Sequence, residues 1–559
     1  MNNGLRISLV SGCLIAACHS GEPRDLLVVH SGSPDSGSDA AVDGASVLTP
    51  SGDAGDDAAI PDGGDVEGGI EGGAEIDGGA SCGDGHTDLG LAEECDDGNQ
   101  QHSDGCEIDC KKTRVTQLGL GRFFTCALSS GGGVKCWGTD SFGVLGRGTT
   151  GEHVAEPMQI DVLDFGTSRR VTQLVSSAFH SCVVFEDEKA RCWGRNDYGQ
   201  LGMRTKTHYA DQPSEPLSAL SDLLIDQIKA ISVSEQNTCV ISDSSGSNEM
   251  YCWGSGAEGQ LGIGTTVDKS TADTNDSVPL TEPPTQITLG YLAACAVYDA
   301  GLVRCFGSHA YGQLGCGVID FDIGDGVGNG SGLGALPNNS LLDVQGLPGA
   351  PSAIIGDFYT HGALIDDQLY CWGRNTDAQT GHPIASVGTE VWQAVGPVNL
   401  GNVSVSQAAL GNTHGCALDD QGVVRCWGRS IQGALGYSGH SDVGRDREPV
   451  LDYQLMSGLF VDGGPTDAAI PGAESLPLGA VNIGDFDGTP GLDPATQVWV
   501  GQSSSCALTQ EGGLRCWGFN EGNHLGYGSS VINIGLTESP AELYAQVGFA
   551  DVKVFGPPP

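Results

Sequence analysis

The chain has 559 residues, with 71 acidic and 25 basic side chains and a formal net charge of −46. Glycine accounts for 88 residues, about twice its usual share of about 7%. Without a Gly-X-Y period, this composition excludes a helical bundle, a coiled coil and a collagen. The negative field disfavours nucleic acid and anionic membrane surfaces as partners.

The first residues have a pattern typical of a secretory signal peptide. Residues 1–17 place one basic residue, Arg6, before a short apolar stretch, which is too short to span a bilayer. The following Leu-Ile-Ala-Ala-Cys run resembles a bacterial lipobox. This resemblance implies lipidation of Cys18 and an outer-membrane anchor that faces the periplasm or the cell surface. An ordinary signal peptide with an incidental cysteine is the alternative.

Residues 18–80 are predicted to be a disordered acidic tether. Positions 19–80 contain 14 acidic residues and one basic residue, mixed with Gly, Ala and Ser. Such a segment has too little apolar surface to form a core, and its like charges repel one another. A tether placed after a lipid anchor would hold a folded head away from the membrane.

Residues 81–112 are predicted to form a small disulfide-rich module. Its motifs CGDG, CDDGN and SDGC resemble a cysteine-rich repeat of secreted myxobacterial proteins. Two disulfides are expected in any of three connectivities, from Cys82, Cys95, Cys106 and Cys110. The aspartates of the module are interpreted as turn and surface residues, with a calcium site as the alternative.

From residue 113 to residue 559, one sequence unit recurs seven times. Each unit has a cysteine-bearing stretch, a turn, a Cys-Trp-Gly motif and a later Leu-Gly pair. Each is predicted to hold four strands, the fourth being a proline-led run such as Pro157–Ile160. A period near 50–60 residues with strand-like content indicates a propeller or a solenoid. Seven units of four strands favour a seven-bladed β-propeller.

The Cys-Trp-Gly and Gly-Gln-Leu-Gly motifs resemble the repeats of the regulator of chromosome condensation family over residues 113–559. This resemblance implies an all-β fold of seven four-stranded blades. Two units depart from the pattern, since Phe306 replaces one tryptophan and the fifth unit lacks its first cysteine. The repeated Trp and Leu residues are interpreted as packing between blades. Residues 551–556 resemble an opening strand, which predicts that one terminus completes a blade from the other end.

Cysteine pairs inside six units predict disulfides across hairpins. The two cysteines lie ten or thirteen residues apart with a turn midway, so they face each other across the hairpin. The pairs are Cys126–Cys136, Cys182–Cys192, Cys239–Cys252, Cys295–Cys305, Cys416–Cys426 and Cys506–Cys516. A signal peptide favours bridges over buried thiols. Cys316 and Cys371 are left over, and a bridge between them is a speculative hypothesis.

Two long loops, near 317–351 and 437–496, break the period. In the second loop, Asp485, Asp487 and Asp493 resemble part of a Ca²⁺-binding loop, with an aspartate-rich turn as the alternative. No other cofactor is expected. His180 and His414 recur with the repeat and are interpreted as structural. Because no catalytic motif is matched, the chain is not predicted to be an enzyme.

The leading hypothesis is therefore a non-enzymatic, lipid-anchored extracytoplasmic binding protein. A monomeric propeller would present one face to an unknown protein ligand, without nucleic acid, and would touch the membrane only through its lipid. Guanine-nucleotide exchange, implied by the family resemblance, is one alternative. A glycan-binding or hydrolytic propeller is another.

Overall fold

Antiparallel hairpins dominate the computed structural model. The structure describes residues 82–83, 87, 93–317, 343–388, 390–437, 439, 442–456, 480–483, 493–528, 533–535, 540 and 551–555. All of them belong to one compact unit, Ile76–Pro559. The signal peptide and the tether lie outside the described residues. In the part that is described, no helix has both the length and the hydropathy needed to cross a bilayer.

The described strands form seven antiparallel sheets, each built from strands consecutive in sequence. The first three sheets contain β1 (Val115–Leu120), β2 (Phe124–Ser129), β3 (Val134–Thr139) and β4 (His153–Val154); β5 (Val171–Ser176), β6 (His180–Phe185) and β7 (Ala190–Gly194); and β8 (Ile228–Val233), β9 (Asn237–Ser242) and β10 (Glu249–Gly254).

The other four sheets follow in chain order. They contain β11 (Gln286–Leu289), β12 (Ala293–Tyr298) and β13 (Leu302–Gly307); β14 (Ala353–Asp357), β15 (Thr360–Ile365), β16 (Gln368–Arg374) and β17 (Glu390–Val391); β18 (Val405–Leu410), β19 (His414–Asp419) and β20 (Val424–Gly428); and β21 (Ala495–Val500), β22 (Ser504–Thr509), β23 (Leu514–Phe519) and β24 (Asn533–Ile534). Two short α-helices lie in the connections, α1 (Ile384–Val387) and α2 (Pro449–Met456).

The second strand of every sheet is buried along its whole length. Both of its faces are therefore covered, as expected for a strand in the middle of a packed sheet. The first strands are more exposed, with buried residues spaced along them, as in β5 and β8. Their less buried positions face the centre of the molecule, where the first strands of several sheets line one cavity.

The repeated tryptophans join neighbouring sheets, which confirms their interpretation as packing residues. Trp193 is fully buried, and its indole N–H donates to the carbonyl of Val144 in the preceding sheet at 3.0 Å. Trp253, Trp372, Trp427 and Trp517 make the same kind of bond. The first and last sheets also meet, because the Thr125 hydroxyl donates to the His524 carbonyl at 2.8 Å.

The prediction of a proline-led fourth strand was wrong. Pro157–Gln159 forms a 3₁₀ turn with proline in its first positions, a place where the missing N–H costs nothing. The fourth strand of the first sheet comes earlier, at His153–Val154, and pairs with Gly138 and Thr139. Three sheets have such a two-residue strand and four have three strands. In several of these four, a single bridge such as Gly194–Tyr209 replaces it.

The predicted exchange of a strand between the two ends of the chain was also wrong. The N–H of Val552 donates to the carbonyl of Leu514, at the start of β23, at 2.7 Å. The same bond occurs in every other sheet, for example from Leu163 to Val134 at 2.7 Å and from Leu223 to Ala190 at 2.9 Å. Val552 is therefore bonded to the last sheet, and residues 551–555 form no strand of the first sheet.

The cysteine-rich module packs on the turn between β2 and β3. The hydroxyl of Ser103 lies 2.5 Å from that of Ser129 and accepts the N–H of Gly133 at 3.0 Å. The hydroxyl of Ser130 donates to Glu107 at 3.2 Å. These contacts seat the module at the end of the first sheet where its second and third strands join.

Candidate functional site

A repeated backbone bond defines one face of the molecule. In each sheet, the carbonyl of a residue in the loop between the first and second strands accepts the N–H of the residue after the third-strand glycine, at 2.8–3.1 Å. The pairs are Phe123–Thr139, Phe179–Arg195, Gln236–Ser255, Leu292–Ser308, Tyr359–Arg374, Thr413–Arg429 and Ser503–Phe519. We call the surface formed by these fourteen residues and their loops the loop face.

The glycine of the Cys-Trp-Gly motif makes this bond possible. Gly194 has a φ of 105°, and a Cβ atom there would lie 2.7 Å from the carbonyl oxygen of Phe179. Any larger residue would be strained in this conformation and would push the loop away. The glycines of the repeat thus allow the backbone hydrogen bonds that fix the loops of the loop face.

On the first two sheets, arginines and phenylalanines alternate across the loop face. The guanidinium of Arg122 lies 5.2 Å from the ring centroid of Phe123 and 5.9 Å from that of Phe179. Arg195 follows, 5.2 Å from Phe179 and 5.4 Å from Phe142. We call these five residues the arginine–phenylalanine ladder. Each cation–π contact of this kind contributes about 0.5–1 kcal/mol at an exposed site.

The ladder leaves one cation without a carboxylate partner among the described residues. Arg195 contacts Asp197 at 2.5 Å and lies 3.9 Å from Glu235. Arg122 is exposed, and its described side-chain contacts are the two phenylalanine rings. Aromatic residues and arginine are the types enriched in the energetic centres of protein interfaces. In a chain with a net charge of −46, this patch is distinguished by its positive charge and its aromatic rings.

Beside the ladder, the first strands and their loops enclose a central cavity of about 250 Å³. Two acidic residues line it, Glu235 after β8 and Asp357 at the end of β14. Burial raises the pKa of Glu235, opposed by the nearby Arg195 and Arg122. Burial raises the pKa of Asp357 to about 7, and the charge of Glu235 adds to this rise. The N–H of Phe358 donates to Asp357 at 2.8 Å and works in the opposite direction.

Replacing Asp357 with asparagine should stabilise the protein at high pH. The carboxyl has a pKa of about 7 when folded, against an ordinary value of 3.8, so the folded state binds more protons between these values. Its contribution to stability therefore falls as pH rises from about 4 to about 7. Asp357→Asn should raise the free energy of unfolding by about 2 kcal/mol at pH 8, allowing for partial solvation of the cavity, with no gain near pH 3.

Chemical denaturation of both proteins across this pH range measures the difference. Asp226→Asn is the control, because Asp226 is exposed and its replacement should leave the pH profile unchanged. Parallel profiles for wild type and Asp357→Asn would show that this carboxyl is not perturbed.

The structure bonds the six predicted hairpin cysteine pairs. Their sulfurs lie 2.02–2.12 Å apart, and their Cα atoms are 4.0–4.1 Å apart. In all six hairpins the two cysteines lie directly opposite each other in the strand register, as with Cys126 and Cys136. Such short Cα separations are typical of the positions where cross-strand side chains come closest.

The hypothesis of a Cys316–Cys371 bridge was wrong. Both residues are buried and lie outside the disulfide bonds of the described chain. Cys371 faces Gly362 across its own hairpin, whereas the Cys316 sulfur lies 3.6 Å from Nε2 of His309. Each thiol is thus held in its own surroundings, and the two do not meet.

In the cysteine-rich module, the structure selects one of the three open connectivities. Cys82 is bonded to Cys110 and Cys95 to Cys106, a nested arrangement. The aspartates serve backbone turns, since Asp96 accepts the N–H groups of Gly83 at 2.9 Å and Gly98 at 2.8 Å.

The predicted calcium residues are only partly within the described chain. Asp485 and Asp487 lie outside it, as does Cys18, the predicted lipidation site. Asp493 is buried, and its carboxylate lies 3.3 Å from the guanidinium of Arg515. An arginine side chain is therefore the cation that Asp493 contacts here.

The histidines of the repeat are structural, as expected. His180 is fully buried; its Nδ1 lies 2.9 Å from the Ser177 hydroxyl and its Nε2 lies 3.0 Å from the Thr238 hydroxyl of the next sheet. Burial lowers its pKa to about 3. His414 makes the corresponding contact with Ser505 at 2.9 Å. Both rings join neighbouring sheets in their neutral form.

The loop face was missed in the sequence, although a signal was present. Its loop positions lie three residues before the first cysteine in six units, as Phe123 precedes Cys126, and three residues before Gly362 in the fifth. These positions vary from unit to unit while the residues around them repeat. Variation within a constant frame is a mark of loops that carry function on a rigid scaffold.

The regulator of chromosome condensation (RCC1) repeat matches residues 115–144, 171–200 and 405–433, and in a second form residues 132–184 and 247–291. The chain carries RCC1 repeats. These matches and the similar proteins described next show that the chain resembles RCC1-repeat proteins.

Two relatives show how far the similarity extends. The Ultraviolet-B receptor UVR8 of Arabidopsis thaliana is 27% identical over 392 residues, which are 69% of this chain and 78% of that protein. The probable E3 ubiquitin-protein ligase HERC6 of Homo sapiens is 26% identical over 308 residues, 54% of this chain but only 26% of the ligase. The second match leaves most of HERC6 without a counterpart in this chain.

Solved structures show the same fold. Yeast RCC1 (Prp20), in its complex with Kap60, has a TM-score of 0.52 at 19% identity, with coverage of 79% of this chain and 88% of that one. Human WBSCR16 has a TM-score of 0.51 at 18% identity, with coverage of 76% and 92%. At these identities the likeness concerns the architecture alone.

Proposed function

We propose that this protein is a non-enzymatic, lipid-anchored extracytoplasmic binding protein that recognises a protein partner through its loop face. In this proposal the seven sheets are the blades of a seven-bladed propeller, and the monomer is the binding unit. The arginine–phenylalanine ladder carries the proposal, because it combines aromatic surface with the exposed cation of Arg122. Yeast RCC1 was solved bound to Kap60, which gives a precedent for protein binding by this fold.

The cysteine-rich module lies away from the proposed binding surface. The module contacts the turn between β2 and β3 through Ser103 and Glu107. Arg122 and Phe123 of the ladder lie in the loop between β1 and β2, at the opposite end of the same strands. The module and these two ladder residues therefore lie at opposite ends of the first sheet, so the module leaves this part of the loop face uncovered. Nucleotide exchange and glycan binding or hydrolysis stay predictions that no described contact favours.

Site-specific photocrosslinking in the full-length protein tests the binding surface. A photoreactive benzoylphenylalanine in place of Phe179 should capture one partner in cells that make the protein. The same group in place of Leu224 should not, because Leu224 is 56% exposed but lies just before β8, at the opposite end of the strands.

In the same assay, Arg122→Ala should lower the crosslinking yield about tenfold. This is the effect of losing about 1.4 kcal/mol of binding free energy, as expected for an arginine in an interface. Arg114→Ala is the matched control, since Arg114 is 48% exposed in its side chain and pairs with Glu94 on the module side. Equal capture from Phe179 and Leu224 positions, or equal yields with and without Arg122, would refute recognition by the loop face.

The anchor is tested separately. Full-length protein should incorporate labelled palmitate and sediment with the outer membrane, whereas Cys18→Ser should do neither. Label retained in Cys18→Ser would exclude this cysteine as the anchor. External protease on intact cells then distinguishes surface display, where the head is cut, from a periplasmic position, where it is protected.

A further inference from the structure

The central cavity has features that binding of a whole protein does not use. Its volume is about 250 Å³, below the range of about 300–1,000 Å³ that holds drug-sized ligands. It suits a small group of only a few heavy atoms. First strands from sheets around the centre contribute aliphatic walls, including Leu118, Val233 and Leu410. The cavity is thus partly apolar, with a few polar groups at defined places.

Its charge is negative and only partly balanced. Glu235 lies 3.9 Å from Arg195, which offsets one of the two carboxylates. Asp357 forms no ion pair with any described residue, and its described hydrogen bond is the N–H of Phe358 at 2.8 Å. A cation inside the cavity would therefore gain a carboxylate that the protein itself leaves uncompensated.

A buried serine beside the two carboxylates has an unpartnered hydroxyl within the described chain. Ser234 lines the cavity and is only 5% exposed, yet its hydroxyl has no hydrogen-bond partner. In the preceding sheet the corresponding hydroxyl of Ser177 is satisfied by His180 at 2.9 Å. A buried hydroxyl without a partner is destabilising, and an N–H donor that reached it would remove this cost.

Aromatic rings stand on the same side of the cavity as the two carboxylates. Tyr291 and Phe358 line it and stack with their centroids 5.4 Å apart. Tyr359 lies 5.4 Å from both rings, and Tyr311 lies 4.8 Å from Tyr359. Aromatic faces next to a carboxylate are the arrangement by which proteins recognise alkylammonium groups.

A metal ion fits this site less well. Hard cations such as Ca²⁺ take six to eight oxygen ligands. Neither Glu235 nor Asp357 belongs to a group of three potential metal ligands in the described chain. The aliphatic and aromatic walls favour instead a cation that carries its own apolar stem.

We propose that the central cavity binds an alkylammonium group, with Asp357 and Glu235 as its counter-charges, Ser234 as a hydrogen-bond acceptor and Tyr291 and Phe358 packed on its stem. The site is independent of the proposed function, because a small amine can bind whether or not a protein occupies the loop face.

Titration calorimetry of the full-length protein with n-butylammonium chloride at pH 8 tests this site. We expect saturable binding with one site per chain. The neutral probe 1-butanol, of the same chain length, should bind at least about tenfold more weakly, because it cannot use the carboxylates. Asp357→Asn and Glu235→Gln should each weaken butylammonium binding about tenfold, and Ser234→Ala less. Asp226→Asn, at an exposed position, should bind like the wild type.

Three outcomes would overturn the proposal. The wild type could show no saturable heat with butylammonium, which would mean that the cavity holds water alone. Butanol could bind as tightly as butylammonium, which would remove the role of charge. Calcium could displace butylammonium with one-to-one stoichiometry and lose its own binding in Asp357→Asn, which would make this a metal site. Thermal unfolding of each variant checks that it is folded.

Discussion

Replacing Arg515 with methionine should lower the free energy of unfolding by about 3–5 kcal/mol, the cost of leaving a buried charge without its partner. The side chain of Arg515 is 0% exposed. Its guanidinium contacts Asp551 at 3.0 Å, Asp493 at 3.3 Å and the carbonyl of Ile483 at 2.8 Å. Three segments that are far apart in sequence thus converge on one cation.

The effect should come from the carboxylate left behind more than from the lost arginine. Asp493 is almost as buried as Arg515, with its side chain 6% exposed. Burial raises the pKa of Asp493, and Arg515 opposes this rise. Without the arginine, Asp493 must either remain ionised at high cost or take up a proton. Adding Asp493→Asn to Arg515→Met should therefore recover part of the lost stability.

Chemical denaturation of the single and double variants measures this coupling. Arg429→Met is the matched control, because the Arg429 side chain is 47% exposed and lies 3.7 Å from Asp377. Because Arg429 is exposed and Asp377 keeps Arg374 at 3.7 Å, losing this arginine should cost only about 0–1 kcal/mol. If Arg515→Met lowered the free energy of unfolding no more than Arg429→Met, the buried arginine would not be a major source of stability for the last sheet.

The same residue shows what the sequence could and could not predict. The unit Arg-Cys-Trp-Gly recurs, so the hairpin, its cysteine and its buried tryptophan follow from spacing and from alternation along a strand. The partners of the arginine do not follow from the motif, because most of them lie far along the chain. Arg304 contacts Asp343 and Arg515 contacts Asp551, 39 and 36 residues later. Arg191 contacts Asp222 at 2.7 Å, whereas Arg425 contacts Asp419 within its own hairpin at 2.6 Å.

The candidate site was harder to predict from the sequence than the fold, for a related reason. A sequence repeat predicts the strands and turns within one unit. The ladder, however, is formed by side chains of two units, and the cavity is lined by the first strands of several. Phe142 reaches Phe179 with centroids 5.7 Å apart across a sheet boundary. The fourth strands were misplaced because two residues of pairing, as in His153–Val154, leave no pattern of alternation to detect.

Gly362→Cys should stabilise the protein by about 2.5 kcal/mol, the gain expected from the loop-entropy model for closing a loop of about ten residues. Gly362 pairs with Cys371 in the hairpin of β15 and β16, in the register that Cys126 and Cys136 have in β2 and β3. A Cβ atom on Gly362 would lie 3.2 Å from the sulfur of Cys371. The fifth sheet therefore lacks one sulfur of the bridge found in its neighbours.

Steric cost must be separated from the gain of the bond. The same Cβ atom would also approach the Tyr370 carbonyl at 3.1 Å and Cγ1 of Ile355 at 3.2 Å. Gly362→Ser introduces almost the same volume without a sulfur, so it should be destabilised relative to the wild type. The difference between the two variants in thermal unfolding then isolates the bridge, and reduction should abolish that difference.

Peptide mapping without reduction decides whether the bridge forms. In the wild type, alkylation after unfolding should label both Cys316 and Cys371, the two buried cysteines outside the disulfides of the described chain. In Gly362→Cys it should label Cys316 alone, with positions 362 and 371 recovered as one linked peptide. A variant that keeps Cys371 free would show that the hairpin cannot bring the sulfurs together, although its register matches the six bridged sheets. A variant that forms the bridge would show that the fifth sheet departs from the repeat in one side chain and keeps the same backbone.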